Sequence, residues 1–307
     1  MLTYIFTDIN GKNDILKYPL SVSFVSADDV PADSLTAVFA VSGNIPPLVS
    51  VIVENGNERV FNGLIDTQTE QQKSDGIILT VTARSLECIL LDNEALPQTY
   101  CMPSMPLIVE RHLKPLGFDK FIGPEKSFSG EMTVTKGMSE WSVLEMFCKR
   151  FLETKPKIDC FGIIDISGRK NDETIYISDN GENRCISKKH IRKRSNLISD
   201  IVARTYISGG YEMPLENPFA QKLGVKRRRY VNSIDSESRS VLSAEKILKK
   251  SADSYEQFIL ECNGCILCSV GASVILENCP KKLTVREVQY ILNSDGEKTR
   301  LYTEVQN

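Results

Sequence analysis

The chain reads Val49-Ser-Val-Ile-Val-Glu54 and, after Asn55-Gly56, Arg59-Val-Phe-Asn-Gly-Leu-Ile-Asp66. Two runs of alternating character thus flank an Asn-Gly pair, and both of those residues tolerate the positive φ that a tight hairpin turn requires. A third alternating run, Ile77-Ile-Leu-Thr-Val-Thr-Ala-Arg84, follows. These runs predict a twisted antiparallel sheet. No acid, base or nucleophile is concentrated around it, which favours a building block over an enzyme.

The composition of the whole chain is that of a folded protein with more than one domain. It has 307 residues, of which 41% are hydrophobic and 25% charged, and a net charge of −3. We therefore expect two or three domains, and nothing global indicates nucleic acid or an anionic membrane as a partner. No segment reaches the roughly 20 apolar residues of a membrane-spanning helix. Nine cysteines, and a start without the features of a secretion signal, predict synthesis in a reducing cytoplasm with mostly free thiols.

Periodicity and turn residues divide the chain into three stretches. Residues 1–95 are nearly all β and predict a small barrel or sandwich, with alternating runs at Leu20–Val25 and Leu35–Val41. Residues 96–195 predict an α+β domain with two helices. Residues 196–307 return to β, with a last hairpin turn at Asp295-Gly296. The predicted fold class is α+β, mostly β: two small antiparallel β-barrel domains with an intervening two-helix α+β domain.

The middle stretch contains the clearest helix signals. Ser104 is placed to cap one helix, which Gly117 ends, and Ser139 to cap a second. An apolar stripe at helical spacing follows Ser139: Trp141, Leu144, Phe147, Cys148, Phe151 and Leu152. This stripe predicts that Trp141, the single tryptophan, is a core residue and not a binding platform. Phe161–Ile166 and Glu173–Ser178 then predict a strand pair joined by a polar turn.

The sharpest candidate for chemistry is the run Cys262-Asn-Gly-Cys265-Ile-Leu-Cys268, with Cys279 further along. Its spacing is like the opening of a ferredoxin-type cluster motif, in which turns bring thiolates together on a metal. The number of residues between Cys268 and Cys279 in the sequence does not match that motif. The alternative is a hairpin, with strands 257–262 and 265–270 around Asn263-Gly264, in which the cysteines are small apolar fillers.

Two basic runs are candidate docking patches. The first contains Lys188, Lys189, Arg192, Lys193 and Arg194, and the second contains Lys226, Arg227, Arg228 and Arg229. Such runs can bind phosphates by releasing counterions, or they can steer docking to an acidic protein. They can also be plain solvated loops. The acidic chain and the absence of interleaved aromatic residues disfavour nucleic acid.

Motifs of catalysis and of nucleotide binding are missing from the sequence. It contains no phosphate-binding glycine loop and no nucleophile elbow. The only histidines, His112 and His190, have no obvious carboxylate partner in the local sequence. The sequence therefore gives little support for histidine-dependent acid–base chemistry. We therefore expect a protein that is not an enzyme.

The order of parts resembles the baseplate hub proteins of contractile phage tails, the Mu-type hub or late control gene D family. The resemblance spans nearly all of the chain and rests on short patterns. They are Val60–Asp66 with Leu79–Arg84, the helix Pro106–Phe118, the helix start Gly137–Phe147 before Asp165–Gly168, and a short helix near Ala244 followed by strands. The cysteine run has no counterpart in this pattern.

The resemblance implies a homotrimer in which each subunit gives two similar β-barrel domains. Three subunits would then form a ring of pseudo-sixfold symmetry that adapts a sixfold tail tube to a threefold spike and encloses the central channel. The implied partners are the tail tube protein and the spike protein, with the baseplate wedge and the tape-measure protein as further candidates. DNA would be at most in transit through the channel, no membrane is involved, and proteins of this family need no cofactor. The implied location is the baseplate of a virion tail or tail-like particle, assembled from protein made in the bacterial cytoplasm.

Two other functions stay open at this stage. One is a β-rich module that binds glycans or cell-wall polymer, for which Tyr100, Tyr206 and Tyr211 are the candidate groove aromatics. The other is a metal-binding protein that uses Cys262, Cys265 and Cys268, with Cys279. The hub is the function that the combined pattern favours.

Overall fold

A computed structural model describes residues 2–43, 45–74, 76–169, 171–204, 210–231 and 237–305, with the side chains of 237–243 left aside. The chain divides into two compact units. Unit 1 consists of Met1–Asn171 and Gln289–Glu297, and unit 2 of Asp172–Val288 and Lys298–Asn307. The division into domains 1–95, 96–195 and 196–307 stays a prediction.

Unit 1 begins with seven antiparallel strands. They are β1 (Leu2–Asp8), β2 (Asn13–Leu16), β3 (Ser21–Ala27), β4 (Ser34–Val41), β5 (Leu48–Asn55), β6 (Glu58–Lys73) and β7 (Gly76–Ser85). The strand order is β2-β1-β5-β6-β7-β4-β3. β5 and β6 form the predicted hairpin, whose turn contains Gly56 at φ +62°, and β7 lies beside β6 as expected.

Alternation along these strands sorts the side chains between core and solvent. Val51, Val53 and Phe61 on the hairpin are buried, and so are Leu79 and Val81 on β7. Because successive side chains in a strand point to opposite faces, one apolar residue in two is enough to build this core. The same rule makes the sequence pattern a direct indicator of the buried face.

The helical part of unit 1 follows the sheet. Its elements are α1 (Glu87–Asp92), β8 (Gln98–Tyr100), α2 (Met105–Ile108), β9 (Phe121–Ile122), β10 (Met132–Val134), α3 (Glu140–Phe147), β11 (Lys157–Ile158) and β12 (Ile164–Asp165). α2 continues through a π turn (Val109–Leu113) and a 3-10 turn (Lys114–Leu116), and α3 through a π turn (Cys148–Leu152).

The predicted helix signals are confirmed. The Ser104 hydroxyl caps α2 and the Ser139 hydroxyl caps α3, each accepting a backbone N–H three residues on. Gly117 ends the first helical stretch at φ +94°, a conformation that glycine adopts without a steric penalty. Trp141 is 8% exposed and belongs to the buried cluster that also holds Phe147, so it is a core residue.

The predicted pairing of Phe161–Ile166 with Glu173–Ser178 is wrong. β12 pairs with β11 and with β9, whereas residues 174–177 find another partner. The reason is a turn at Asp159, whose carboxylate accepts the backbone N–H groups of Phe161 (2.9 Å) and Ile163 (2.8 Å). This local hydrogen bonding competes with strand pairing and delays the strand until Ile164.

Unit 2 contains nine strands and two helices in the part that the structure describes. They are β13 (Thr174–Ile177), β14 (Cys185–Arg192), β15 (Asp200–Arg204), β16 (Tyr211–Glu216), α4 (Pro218–Lys222), β17 (Arg228–Val231), α5 (Glu237–Asp253), β18 (Glu256–Asn263), β19 (Ser273–Leu276), β20 (Leu283–Asn293) and β21 (Gly296–Val305). A 3-10 turn, Arg194–Asn196, follows β14. The tip of the predicted last hairpin, between β20 and β21, belongs to unit 1.

These strands form two sheets. One has the antiparallel order β14-β18-β21-β20, with β19 beside β20 and β13 parallel to β19. The other is the three-stranded sheet β16-β15-β17, against which α5 packs. The mostly-β α+β class with antiparallel sheets is therefore confirmed. Closure of the sheets into barrels stays a prediction.

The hairpin predicted around Asn263-Gly264 is wrong, because residues 265–270 are not a strand. After β18 the chain is irregular and is held by the buried Thr299 of β21. The Thr299 hydroxyl accepts the backbone N–H of Ile266 (2.9 Å) and donates to the carbonyl of Gly264 (2.8 Å). One side chain thus satisfies backbone groups that a second strand would otherwise have paired.

Candidate functional site

The first basic run lies on β14, which is at the edge of its sheet among the described strands. Lys188, His190 and Arg192 alternate along it and lie opposite Leu260, Phe258 and Glu256 of β18. The three side chains lie on the same face of the sheet as these buried β18 residues but are themselves exposed. Charged side chains on an edge strand discourage the addition of a further strand.

Lys188, His190 and Arg192 contact aromatic and acidic side chains of β18. The His190 ring stacks on Phe258 with centroids 4.3 Å apart, and the Lys188 Nζ lies 5.5 Å from the same ring. The Nε2 of His190 lies 2.6 Å from a carboxylate oxygen of Glu256, and Lys281 also donates to that carboxylate. Arg192 approaches it to 3.6 Å. These contacts engage Lys188, His190 and Arg192 with groups of the same chain, although the side chain of Arg192 is still 59% exposed.

Glu256 is the centre of this cluster, and the sequence did not single it out. Its side chain is 8% exposed. Burial works to raise the pKa of Glu256, but the hydrogen bonds from Lys281 and His190 outweigh burial and hold the pKa below its ordinary value. The carboxylate is consequently ionised at neutral pH and neutralises part of the basic run.

In the second basic run, Arg227 is hydrogen-bonded within the chain and the other members are exposed to solvent. Arg227 donates through Nη1 to the carbonyls of Leu197 (2.8 Å) and Ser195, and its backbone N–H donates to the hydroxyl of Ser199 (2.7 Å). It thereby satisfies the carbonyls at the end of the 3-10 turn that follows β14. The same Nη1 reaches the carbonyl of Arg194 at 3.5 Å, so the two basic runs meet here.

The exposed cations that remain form what we call the basic patch. Its members are Lys189, Lys193, Arg194, Lys226, Arg228 and Arg229, all of them solvent-exposed. They flank the contact between Arg194 and Arg227, on two stretches of chain that are far apart in sequence. This arrangement offers positive charge to an acidic partner.

The cysteine run does not converge as the ferredoxin-like spacing predicted. Cys262 is fully buried on β18, and Cys265 and Cys268 lie in the irregular segment after it. Among the described residues, no group of three or more histidine, cysteine or acidic side chains is arranged to hold a metal ion. The nearest counterpart of Cys262 is a residue that the sequence did not indicate, Cys185, which lies opposite on β14.

His112 has a carboxylate partner that its local sequence does not reveal. Its Nδ1 lies 2.6 Å from Glu140, the first residue of α3, and its Nε2 lies 2.7 Å from the hydroxyl of Tyr100 on β8. His112 is 1% exposed. Burial raises the pKa of Glu140 against the opposing effect of His112, and burial also raises the pKa of Tyr100. A triad buried this deeply links three elements of unit 1 and offers no surface to a substrate.

Two buried acids in unit 1 were likewise not predicted. Glu87, at the start of α1, is 8% exposed and accepts the hydroxyl of Ser85 at 2.5 Å. Burial raises its pKa to about 7. Asp33, whose backbone N–H donates to the same Ser85 hydroxyl at 2.8 Å, has a pKa that burial raises to about 6. Both carboxyls can thus change protonation near neutral pH.

The tyrosines proposed for a glycan groove are dispersed. Tyr100 is buried and bonded to His112, so its assignment to a groove is wrong. Tyr206 lies outside the described residues. Tyr211 is exposed and packs edge-to-face on Tyr230 with centroids 5.2 Å apart. This pair bridges the two outer strands of the three-stranded sheet, and it is too small by itself to define a groove.

Comparison with solved structures finds the same fold in phage tail proteins. The tail protein from Neisseria meningitidis MC58 matches at 17% identity with a TM-score of 0.76, over 98% of this chain and 96% of that one. The 43 kDa tail protein of prophage MuSo2 from Shewanella oneidensis matches at 13% identity with a TM-score of 0.81, over 99% and 98%. No family model and no curated protein matches the sequence.

A more distant match comes from a secretion system. The E. coli c3393 protein, a component of the type VI secretion system with structural similarity to the T4 bacteriophage tail proteins gp27 and gp5, matches at 9% identity with a TM-score of 0.58. The match covers 94% of this chain and 74% of that one. At such identities the likeness establishes the fold, and the fold is that of phage tail proteins. No described helix has the length and apolar character needed to cross a membrane.

Proposed function

We propose that this chain is a structural hub in the baseplate of a phage tail or tail-like particle. The observation that carries the proposal is the extent of the fold match, which takes in almost the whole of this chain and of two tail proteins. A fold match limited to one domain would be compatible with many functions, because proteins with the same fold can have unrelated activities. A match over the full length favours the same kind of assembly.

In the proposed particle the chain forms a homotrimer. Three copies give six sheet-rich units, so that the ring can meet a sixfold tube on one side and a threefold spike on the other and surround the channel. The tube and spike proteins are the main partners, and wedge and tape-measure proteins are further ones. This function needs shape and rigidity, and we propose neither turnover nor a cofactor.

Exposed apolar side chains of unit 1 support an oligomer. Ile15 lies on β2, at the outer edge of the strand order, and is 57% exposed, and Ile9, Tyr18 and Leu20 nearby are exposed as well. An edge strand that presents apolar side chains is prone to association, and in oligomers a neighbouring subunit covers such surfaces. We assign this edge to the contact between subunits.

Light scattering coupled to size-exclusion chromatography tests the proposal. We expect a mass three times that of the 34.4 kDa chain. Ile15→Lys should shift the population toward the monomer, because it places a charge in the contact. Gln72→Lys adds the same charge at an exposed polar strand position and should leave the trimer intact.

Two outcomes would contradict the hub. One is a wild-type chain that stays monomeric at tens of micromolar, even when it is mixed with a tail tube protein. The other is a stable oligomer with a symmetry other than threefold in electron micrographs.

Loss of binding to an acidic partner at high salt would in addition support the basic patch as a docking surface, since screening weakens exposed charge pairs.

A further inference from the structure

Two cysteines face each other across β14 and β18. Cys185 is paired with Cys262 at the end of the antiparallel ladder, just beyond a β-bulge between Cys185 and Ser187. The neighbouring hydrogen bond runs from the N–H of Asn263 to the carbonyl of Arg184 (3.3 Å), so the two cysteines form a non-hydrogen-bonded pair. In such pairs the Cα atoms are about 4.5 Å apart, and disulfides span Cα separations of about 4.4–6.8 Å.

The surroundings of the pair bring the two thiols together. Cys262 is fully buried in the core of unit 2, and Cys185 is half-buried and packs against the same apolar cluster. The Cys185 Sγ lies 3.3 Å from the carbonyl oxygen of Ser187, and each thiol is close enough to the other to affect its pKa. All nine cysteines are free in this structure.

We propose that Cys185 and Cys262 are a redox modification site, at which a reversible disulfide locks β14 onto β18 when the protein meets an oxidising medium. The inference stands on the strand register and does not depend on the proposed hub function. Among the described strands β14 is the last in the strand order of its sheet, and a covalent link would tie it more firmly to β18. The bridge would close the segment 186–261 into a loop and restrict the unfolded chain.

The oxidant is a small-molecule disulfide such as oxidised glutathione. The more accessible Cys185 loses a proton to solvent, and its thiolate attacks one glutathione sulfur, which expels a glutathione thiolate and leaves a mixed disulfide. Cys262 then loses its proton and attacks the Cys185 sulfur, which expels the second glutathione. Two protein thiols are oxidised to one disulfide, and one oxidised glutathione is reduced to two thiols.

Burial sets the rate of the second step. It raises the pKa of Cys262 to about 12, with Cys185 as a further cause, and it raises the pKa of Cys185 as well. Because the thiolate is the reacting form, closure is slow at neutral pH, and the thiolate fraction grows about tenfold per pH unit below the pKa. The bridge is therefore expected to form slowly and, once formed inside a core, to be slow to reduce.

Cys265 and Cys268 are the competing partners, because they follow Cys262 closely in sequence. They lie in the irregular segment, where no ladder fixes them opposite Cys185. The test must distinguish a disulfide between Cys185 and Cys262 from a disulfide between Cys185 and one of these two competitors. Digestion with trypsin alone does not distinguish them, because Cys262, Cys265, Cys268 and Cys279 share one peptide, 251–281. Cys185 falls in the short peptide 185–188.

The experiment incubates the reduced full-length chain with oxidised glutathione at pH 8, alkylates the remaining thiols and maps the peptides without reduction. We expect peptide 185–188 linked to peptide 251–281 in the wild type and in the control Cys268→Ser, and no link in Cys262→Ser. Fragment ions between Asn263 and Gly264 assign the bridge in the wild type without any variant. Glutathione on the exposed Cys101 verifies that the oxidant acted.

A second measurement asks whether the bridge locks the strand. The urea midpoint, followed by circular dichroism, should be higher for the oxidised than for the reduced wild type and should not change on oxidation of Cys185→Ser. The proposal is overturned by a link that persists in Cys262→Ser, or by glutathione on Cys101 with no 185–262 bridge. An oxidised wild type that contains the bridge but has an unchanged midpoint overturns the locking role.

Discussion

Replacement of Glu87 by glutamine should stabilise the protein at pH 8 and leave its stability nearly unchanged at pH 4.5. The carboxyl of Glu87 is 8% exposed, and burial raises its pKa from 4.5 to about 7. The folded state thus holds the proton over a range in which the unfolded chain has lost it. Glutamine is neutral at every pH and keeps an oxygen that can accept the Ser85 hydroxyl.

The sign and size of the effect follow from proton linkage. Between about pH 4.5 and 7 the folded chain binds more protons than the unfolded one, so the free energy of unfolding falls as pH rises and levels off above about pH 7. The two pKa values differ by about 2.5, and each pH unit corresponds to about 1.4 kcal/mol, so the loss is about 3 kcal/mol. Glu87→Gln should recover most of this amount at pH 8. Asp33, with its pKa near 6, leaves a smaller pH dependence in the variant.

Urea unfolding at pH 4.5, 6, 7 and 8 measures the effect. Trp141, the single tryptophan, lies in the core against which residues of α1 pack, so its fluorescence reports on the unit that contains Glu87. Glu125→Gln, at an exposed position, is the matched control and should follow the wild type at every pH. A stability difference between Glu87→Gln and the wild type that stays constant with pH would refute the linkage argument. So would a variant less stable than the wild type at pH 8.

Two further variants test the remaining charged side chains. Arg227→Ala should lower the free energy of unfolding by about 1.5–3 kcal/mol, because it leaves the part-buried carbonyl of Leu197 without its charged donor, whereas Arg228→Ala should have little effect in the same urea titration. Glu140→Ala should cost about 2–3 kcal/mol by leaving the buried Nδ1 of His112 without its carboxylate partner, and Glu145→Ala, on the exposed side of the same helix, should be neutral in thermal unfolding. Equal effects within either pair would contradict these assignments.

Sequence reasoning succeeded where a few neighbouring residues decide the outcome. The Asn-Gly hairpin, the caps at Ser104 and Ser139, and the end of a helix at Gly117 were all predicted, and all are present. Turn and cap preferences act through one residue's φ or one side-chain hydrogen bond. They therefore leave a direct mark on the sequence.

The predictions that failed concern partners. The run 161–166 has strand-like residues, yet its ladder partners are β9 and β11 and not the next strand-like run along the chain. In the sequence Arg227 is one member of a basic run, but in the structure its guanidinium donates hydrogen bonds to carbonyls of another turn. His112 lies 28 residues from Glu140, and no local pattern connects them.

Periodicity and turn chemistry by themselves determined that this is a mostly-β protein, where the hairpin of β5 and β6 turns, where the helices capped by Ser104 and Ser139 begin, and which side of β5, β6 and β7 is buried. Only the tertiary structure decided which strand lies beside which, that Cys185 meets Cys262, and which cations stay free for a partner. The physical reason is that an alternating strand buries its apolar face equally well against many neighbours. The choice among them depends on chain closure and on the burial of residues far apart in sequence.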